Sequence, residues 1–419
     1  MKITIVNTHD IIGGAERASY DLAKGLHQRG DETRLYVAGQ YGFDSFTRKM
    51  HYRRLDYTLR RLVSKHLGLT DTTLWAPLDA CRRFRDFREA DVVNLHNMHG
   101  SYWNFWTLGL LVKRAPVFLT LHDEWFLTGD CAYIYDCERW LDSCGRCPQF
   151  SGSLDSNRYA LGGRDFTRTN LFLKRLSTSR IDAGRFCIVA PSRWLLDRAA
   201  RSTHLRRFPA YHIEYGIDLS QYTPLPKEHC REQLSLPASK RLVFCAAADL
   251  GDKRKNFASL FRLVLSGGLP KDMMLVCAGK VPIDESMVDH PQIRWLGYLT
   301  SRDEMARAIC ACDFTVVLSR ADNLPYVALE SVSCGRPVLG STAGGIPEIV
   351  DHGNTGWLVP HDAEPEFTSR VLRDIATLDD ATLAQMGRRA RAQAERRYDM
   401  DMYVSRHREV FQEAMERCE

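Results

Sequence analysis

SRADNLPYVALESVSCGRPVLGSTAGGIPEIV, residues 319–350, decides the reading of this chain. It parses as loop, helix, strand and a glycine turn opening a second helix. The run DFTVVLS (313–319) ahead of it is apolar and β-branched, which predicts a buried strand. Asn323 offers a cap and Pro325 a preset helical φ, so a helix is expected to begin near Pro325 and to stop at Gly335. RPVLGS (336–341) reads as the next strand. In AGGIPE (343–348), Gly344 and Gly345 let backbone come close to a ligand. Asp322 then falls on a loop at a strand's carboxyl end and Glu330 in the following helix. That edge is where open α/β sheets bind ligands.

The same alternation extends in both directions. Towards the N-terminus, RLVFCAAAD (241–249), MMLVCAG (273–279) and IRWLGYL (293–299) read as strands, and GWLVP (356–360) closes the set. The first half repeats the design with ITIVN (3–7), TRLYVAG (33–39), DVVNLH (91–96), PVFLTLH (116–122) and FCIVAPS (186–192). Strands alternating with helices predict parallel, doubly wound sheets, and 419 residues suit two such domains. The segment 205–238 carries Pro209, Pro224, Pro226 and Pro237 with little periodicity, and reads as the connection between them. Residues 363–419 read as largely helical.

Composition excludes several classes. Hydrophobic residues make up 44% and charged residues 26%, as in a soluble globular protein. There is no apolar run of about 18 residues to span a membrane. MKITIVN enters a strand directly, without the features of a signal peptide, so a cytoplasmic location is expected. Most of the 13 cysteines sit in apolar strands or helices and read as buried thiols of a reducing compartment. The net charge of +5 is small. Basic residues concentrate between 48 and 88, where Leu55, Leu59, Leu62 and Val63 suit an amphipathic helix with a basic face. That face is either simply solvated or docks peripherally on the anionic inner face of the plasma membrane. Nucleic acid is not expected, because no binding motif accompanies the charge.

Other signals lie in the loops. Gly13 and Gly14 follow the first strand, and the next helix aims its N–H groups at whatever occupies that edge. Tight-turn packing would also account for the pair, which is not a dinucleotide fingerprint. GDKRKNF (251–257) places Arg254 and Lys255 between a strand and a helix, as a solvated basic turn or an anion site. His122 and Asp123 end a strand of the first half, and His96 and His99 end its neighbour. Cys131, Cys137, Cys144 and Cys147 follow, spaced CX5C, CX6C and CX2C. Four thiols this close, ending in a CxxC knuckle, suit a structural Zn²⁺ site with no position left for catalytic water. Free thiols, an iron–sulfur cluster or a redox pair are the alternatives.

Asp322…Glu330, followed by CGRPV and AGGIPE, resembles the donor site of the retaining glycosyltransferases of family 4, which have the GT-B fold. The likeness extends over nearly the whole chain. It implies two Rossmann-like domains facing an interdomain cleft. Residues 1–210, with the cysteine insert 131–147, would form the acceptor-side domain. Residues 211–395 would bind the nucleotide-sugar, and a helix over 396–419 would cross back to the first domain. The reaction implied is transfer, with retention, from a nucleotide diphosphate sugar to a hydroxyl of a glycan or lipid-linked saccharide in cell-surface polysaccharide assembly.

By the same resemblance, Glu330 would hydrogen-bond the ribose. Asp322 would hold the transferred sugar, assisted by amides near Asn323 and Leu324. Lys255, with Arg254 beside it, would meet the diphosphate, and the loop of Gly13 and Gly14 would approach the phosphates and acceptor. His122 would touch the sugar near its reacting carbon, with Asp123 orienting the ring, while His96 and His99 would shape the acceptor side. Cationic side chains, amides and a helix N-terminus would stabilise the leaving diphosphate, so no catalytic metal is expected. Some enzymes of the family carry a similar four-cysteine insert after an LHD motif. The chain departs from the pattern twice. Asp322 stands where most of the family has Glu, and Ala248, Asp249 and Leu250 occupy the place of a usual Arg. Two other readings remain: a nucleotide-sugar epimerase, which shares the fold, and a non-catalytic nucleotide-sugar-binding protein, which those departures favour.

Overall fold

A computed structural model describes residues 1–50, 56, 58, 59, 62, 63, 66, 69, 71, 75–100, 102–149, 165–280 and 289–418. The basic amphipathic helix read at Leu55, Leu59, Leu62 and Val63 falls where most positions lie outside the described residues. The chain divides into two compact units, Met1–Gly216 with Asp401–Glu419, and Ile217–Met400.

Among the described residues, the first unit holds seven strands: β1 (Lys2–His9), β2 (Glu32–Gly39), β3 (Thr47–Lys49), β4 (Val92–His96), β5 (Val117–Thr120), β6 (Phe186–Ala190) and β7 (Ala210–His212). Their order is β3-β2-β1-β4-β5-β6-β7, and every pairing is parallel. β4, β5 and β6 are buried at every position, as helices on both faces of a parallel sheet require. The helix Gly14–Gln28 buries Ala18, Leu22 and Leu26 at four-residue spacing, one stripe turned to the sheet. Met400–Glu416 is also helical, and Tyr403, Val404, His407, Val410, Phe411 and Ala414 are its buried positions. Phe411 packs on Phe118 of β5, ring centroids 4.7 Å apart.

The second unit holds β8 (Arg241–Asp249), β9 (Met273–Lys280), β10 (Ile293–Gly297), β11 (Phe314–Val317), β12 (Val338–Ser341) and β13 (Gly356–Val359). The order is β10-β9-β8-β11-β12-β13, again all parallel. Its core joins strand residues such as Val243, Leu275 and Val316 to Phe257, Leu260 and Phe261 of the helix Phe257–Leu265.

In each sheet the winding reverses once, between β1 and β4 and between β8 and β11. The crevice outside the carboxyl ends at such a reversal is where doubly wound sheets take ligands. Two expectations are corrected. The proline-rich segment read as a plain connector contains β7 and the helix Lys227–Gln233. Asn323 does not cap the helix Tyr326–Ser333, whose N-cap position is Pro325, with φ −65° and no side-chain cap.

Candidate active site

The reversal in the second sheet brings together loops that are distant in sequence. The turn after β8 carries Arg254 and Lys255, and the loop after β11 carries Asp322. The Arg320 N–H donates to the Arg254 carbonyl at 2.8 Å. Arg254 Nη1 donates to the Ala321 carbonyl at 3.0 Å. Lys255 Nζ reaches Asp322 Oδ2 at 2.6 Å, and the Ser319 hydroxyl donates to the same oxygen at 3.1 Å. Arg254 stands 3.3 Å from Asp322 and 3.2 Å from Asp252. It therefore ties the two loops together while also neutralising them. Burial pushes the Asp322 carboxyl upward, but Lys255 and Arg254 together outweigh it and hold the group below its usual range.

A third loop, after β12, completes the floor. Gly344 has φ +58°, and a Cβ there would lie 1.6 Å from the Asp322 carbonyl oxygen, so only glycine fits. The Gly345 N–H donates to that carbonyl at 3.1 Å. Asn323 and Leu324 are buried in the bend leading to the helix. Glu330, within Tyr326–Ser333, is 2% exposed and accepts a 2.7 Å hydrogen bond from the Tyr222 hydroxyl. Tyr222, 108 residues away, was not singled out in the sequence, where no local pattern marks it.

At the reversal of the first sheet, His96 ends β4 and His122 follows β5. His96 Nδ1 lies 2.8 Å from His122 Nε2, and His122 Nδ1 lies 2.6 Å from the Tyr215 hydroxyl. Both rings are buried. Burial pulls His122 down to about 3 and His96 well below its ordinary value, so both imidazoles are neutral at physiological pH. Asp123 does not orient His122, as expected from their adjacency. It pairs with His99 Nε2 at 2.8 Å and accepts from the Trp125 N–H at 2.9 Å.

Gly13, at φ +108°, precedes the first helix. Glu16, in that helix's first turn, accepts from the Thr8 hydroxyl at 2.8 Å and from Asn97 Nδ2 at 3.4 Å. Burial raises its carboxyl. Glu16 was passed over in the sequence, although an acid one turn beyond a glycine pair was the available signal.

The four cysteines of the insert line one cavity together with Ile134, Arg139 and Trp140. Beside it Lys174, fully buried, donates to the carbonyls of Trp125 at 2.7 Å and Thr128 at 3.0 Å. Its Nζ stands 3.3 Å from the Trp125 ring centroid.

Two parallel α/β units, each with its loops gathered where the winding reverses, define the GT-B class of glycosyltransferases. Residues 12–221 match the model of Glycosyltransferase Family 4, and residues 239–376 match that of Glycosyl transferases group 1. The first match takes in half of the chain, which belongs to glycosyltransferase family 4. It is 28% identical over 186 residues to D-inositol 3-phosphate glycosyltransferase of Mycolicibacterium gilvum, covering 41% of this chain and 40% of that protein. It is 24% identical over 296 residues to the putative colanic acid biosynthesis glycosyl transferase WcaC of Escherichia coli, covering 68% of this chain and 66% of WcaC. The chain thus spans less than two thirds of the length of each of these relatives. HepE of Anabaena, in a crystal structure with UDP-glucose, superposes with a TM-score of 0.63 at 18% identity, over 98% of this chain and 99% of HepE.

Proposed function

We propose that this glycosyltransferase moves a sugar, with retention of its anomeric configuration, from a nucleoside diphosphate sugar to a hydroxyl of a glycan or lipid-linked saccharide. One observation carries the reading: Lys255 and Asp322 meet at 2.6 Å where the second sheet reverses. A cation there suits a diphosphate, and an ionised carboxylate beside it suits sugar hydroxyls. On donor binding Lys255 turns from Asp322 to the diphosphate, which leaves Asp322 to accept hydrogen bonds from the hexose. Glu330, held by Tyr222, takes the ribose hydroxyls.

Bond cleavage at the anomeric carbon puts negative charge on the departing diphosphate. Lys255, together with backbone N–H groups, stabilises it in place, with no metal ion required. His122 stays neutral and offers a polar edge rather than a positive charge. The UDP-glucose in HepE supports a uridine nucleotide as the first donor to try. The role in WcaC's name supports an acceptor in polysaccharide assembly.

The test begins with a thermal-shift screen across nucleoside diphosphate sugars, in which the true donor stabilises most. Product from that donor is then examined by proton NMR for anomeric configuration, with and without chelator, alongside Glu330→Ala. Retention, insensitivity to chelator and a sharp loss in Glu330→Ala are expected. Unchanged transfer by Glu330→Ala would refute the assignment of the ribose contact, and an inverted product would refute the mechanism.

A further inference from the structure

We infer that Cys131, Cys137, Cys144 and Cys147 bind a single Zn²⁺ ion that pins the loop following His122 and Asp123. The four residues face one cavity of about 20 Å³, the room one bound atom needs. The thiols of Cys131 and Cys147 are in hydrogen-bond contact, and Cys144 sulfur accepts from the Gly129 N–H. Among the described residues no three of the sulfurs lie within 4.8 Å of one another, so the metal would draw the set inward to a tetrahedron.

The backbone is shaped for this. Cys144, Gly145 and Arg146 have φ of 55°, 81° and 46°, three successive left-handed residues, two of which carry side chains. Such a turn is strained and persists only where its surroundings fix it. It is anchored at both ends, with the Gly145 N–H donating to the Thr167 hydroxyl at 2.9 Å and the Cys147 N–H to Asp165 at 2.8 Å. This is the tight knuckle by which a CxxC pair presents two sulfurs to one ion.

Charge gives the second argument. Four thiolates around Zn²⁺ leave a net charge of about −2, which a buried site must offset. Lys174 and Arg175 both interact electrostatically with Cys144. Arg139 lines the cavity, and Arg168 reaches Gly145, its Nε 3.3 Å from where a Cβ there would stand. Lys174 also faces Asp130, Asp71 and Asp123, and Arg175 faces Asp142, so these cations are shared between the cysteines and nearby carboxylates. Four sulfur ligands also select zinc over hard divalent ions. The ion would add a cross-link to an irregular loop whose Ile134 and Trp140 are already packed in the core of the first unit.

The test uses the full-length protein purified without added metal. Elemental analysis should find one zinc per chain. Titration with a mercurial in the presence of a chromogenic chelator should release it in step with four thiols. Cys144→Ser should lose the metal and lower the melting temperature, whereas Cys418→Ser, outside the set, should keep one zinc. Should Cys144→Ser fail to fold, the wild-type zinc content and release decide alone. Iron in place of zinc, four freely reactive thiols without metal, or disulfides in the native protein would each overturn the inference.

Discussion

Lys255 Nζ and Asp322 Oδ2 lie 2.6 Å apart although 67 residues separate them, because β8 and β11 flank the point where the second sheet reverses. Without donor, the two groups satisfy each other. In the proposed reaction, each acquires a partner of its own on the donor. Lys255→Ala should therefore weaken nucleoside diphosphate binding by about 10- to 100-fold, the range of a charge-assisted hydrogen bond of about 1.5–3 kcal/mol. Isothermal titration calorimetry with the diphosphate alone checks this, and unaltered affinity would remove Lys255 from the phosphate site.

Tyr222 is the sole group outside the donor that the proposal asks to aim Glu330. Tyr222→Phe deletes the 2.7 Å bond and leaves the ring. Stability should fall by about 1–2 kcal/mol in urea denaturation, since a buried carboxylate loses a donor. Donor affinity should fall with it, while the activity that remains keeps the same product configuration.

Gly344→Ala places a methyl group on the Asp322 carbonyl at a position with φ +58°. The loop has to move, and a loss of at least about 2 kcal/mol is expected. Thermal unfolding measures the loss. Transfer should fall beyond what instability explains, because the displaced backbone carries Asp322.

Glu124 sets a pH dependence. It is buried, with Oε2 accepting from the Ile134 N–H at 2.7 Å and Oε1 standing 3.4 Å from Arg198 Nε. Burial raises its carboxyl to about 7 from 4.5, against the partial relief those two partners give. The folded state thus prefers the proton. The stabilisation is full below pH about 4.5 and is lost as pH rises through about 7, on the order of 3 kcal/mol in all. Glu124→Gln should flatten that limb, read as the wild-type-minus-variant difference in denaturation midpoints from pH 4.5 to 8.

The strands were legible because buried parallel strands are runs of apolar, β-branched residues, as RLVFCAAAD and FCIVAPS are. β3 and β7 were not, because Thr47–Lys49 and Ala210–His212 are each three residues long and mostly unburied. At the site, Asp322, Glu330 and Lys255 stood out through a family pattern of spacing. Their tyrosine partners did not, since Tyr215 and Tyr222 reach His122 and Glu330 across 93 and 108 residues. Adjacency misled at Asp123. Neighbouring residues at a strand end diverge in direction, and its carboxylate turns to His99 on the loop after the adjacent strand, β4.

The helix Met400–Glu416 adds Phe411 to the core of a unit that begins at Met1, and Tyr403 donates to the Ala18 carbonyl there. On the ribosome this order matters. The polypeptide up to Gly216 emerges early yet lacks a piece of its interior until residues beyond 400 are made, roughly 10–40 s later at about 5–20 residues per second. The opening half of the nascent chain must then wait, incompletely packed, while the middle segment, Ile217–Met400, has all its parts and can finish first.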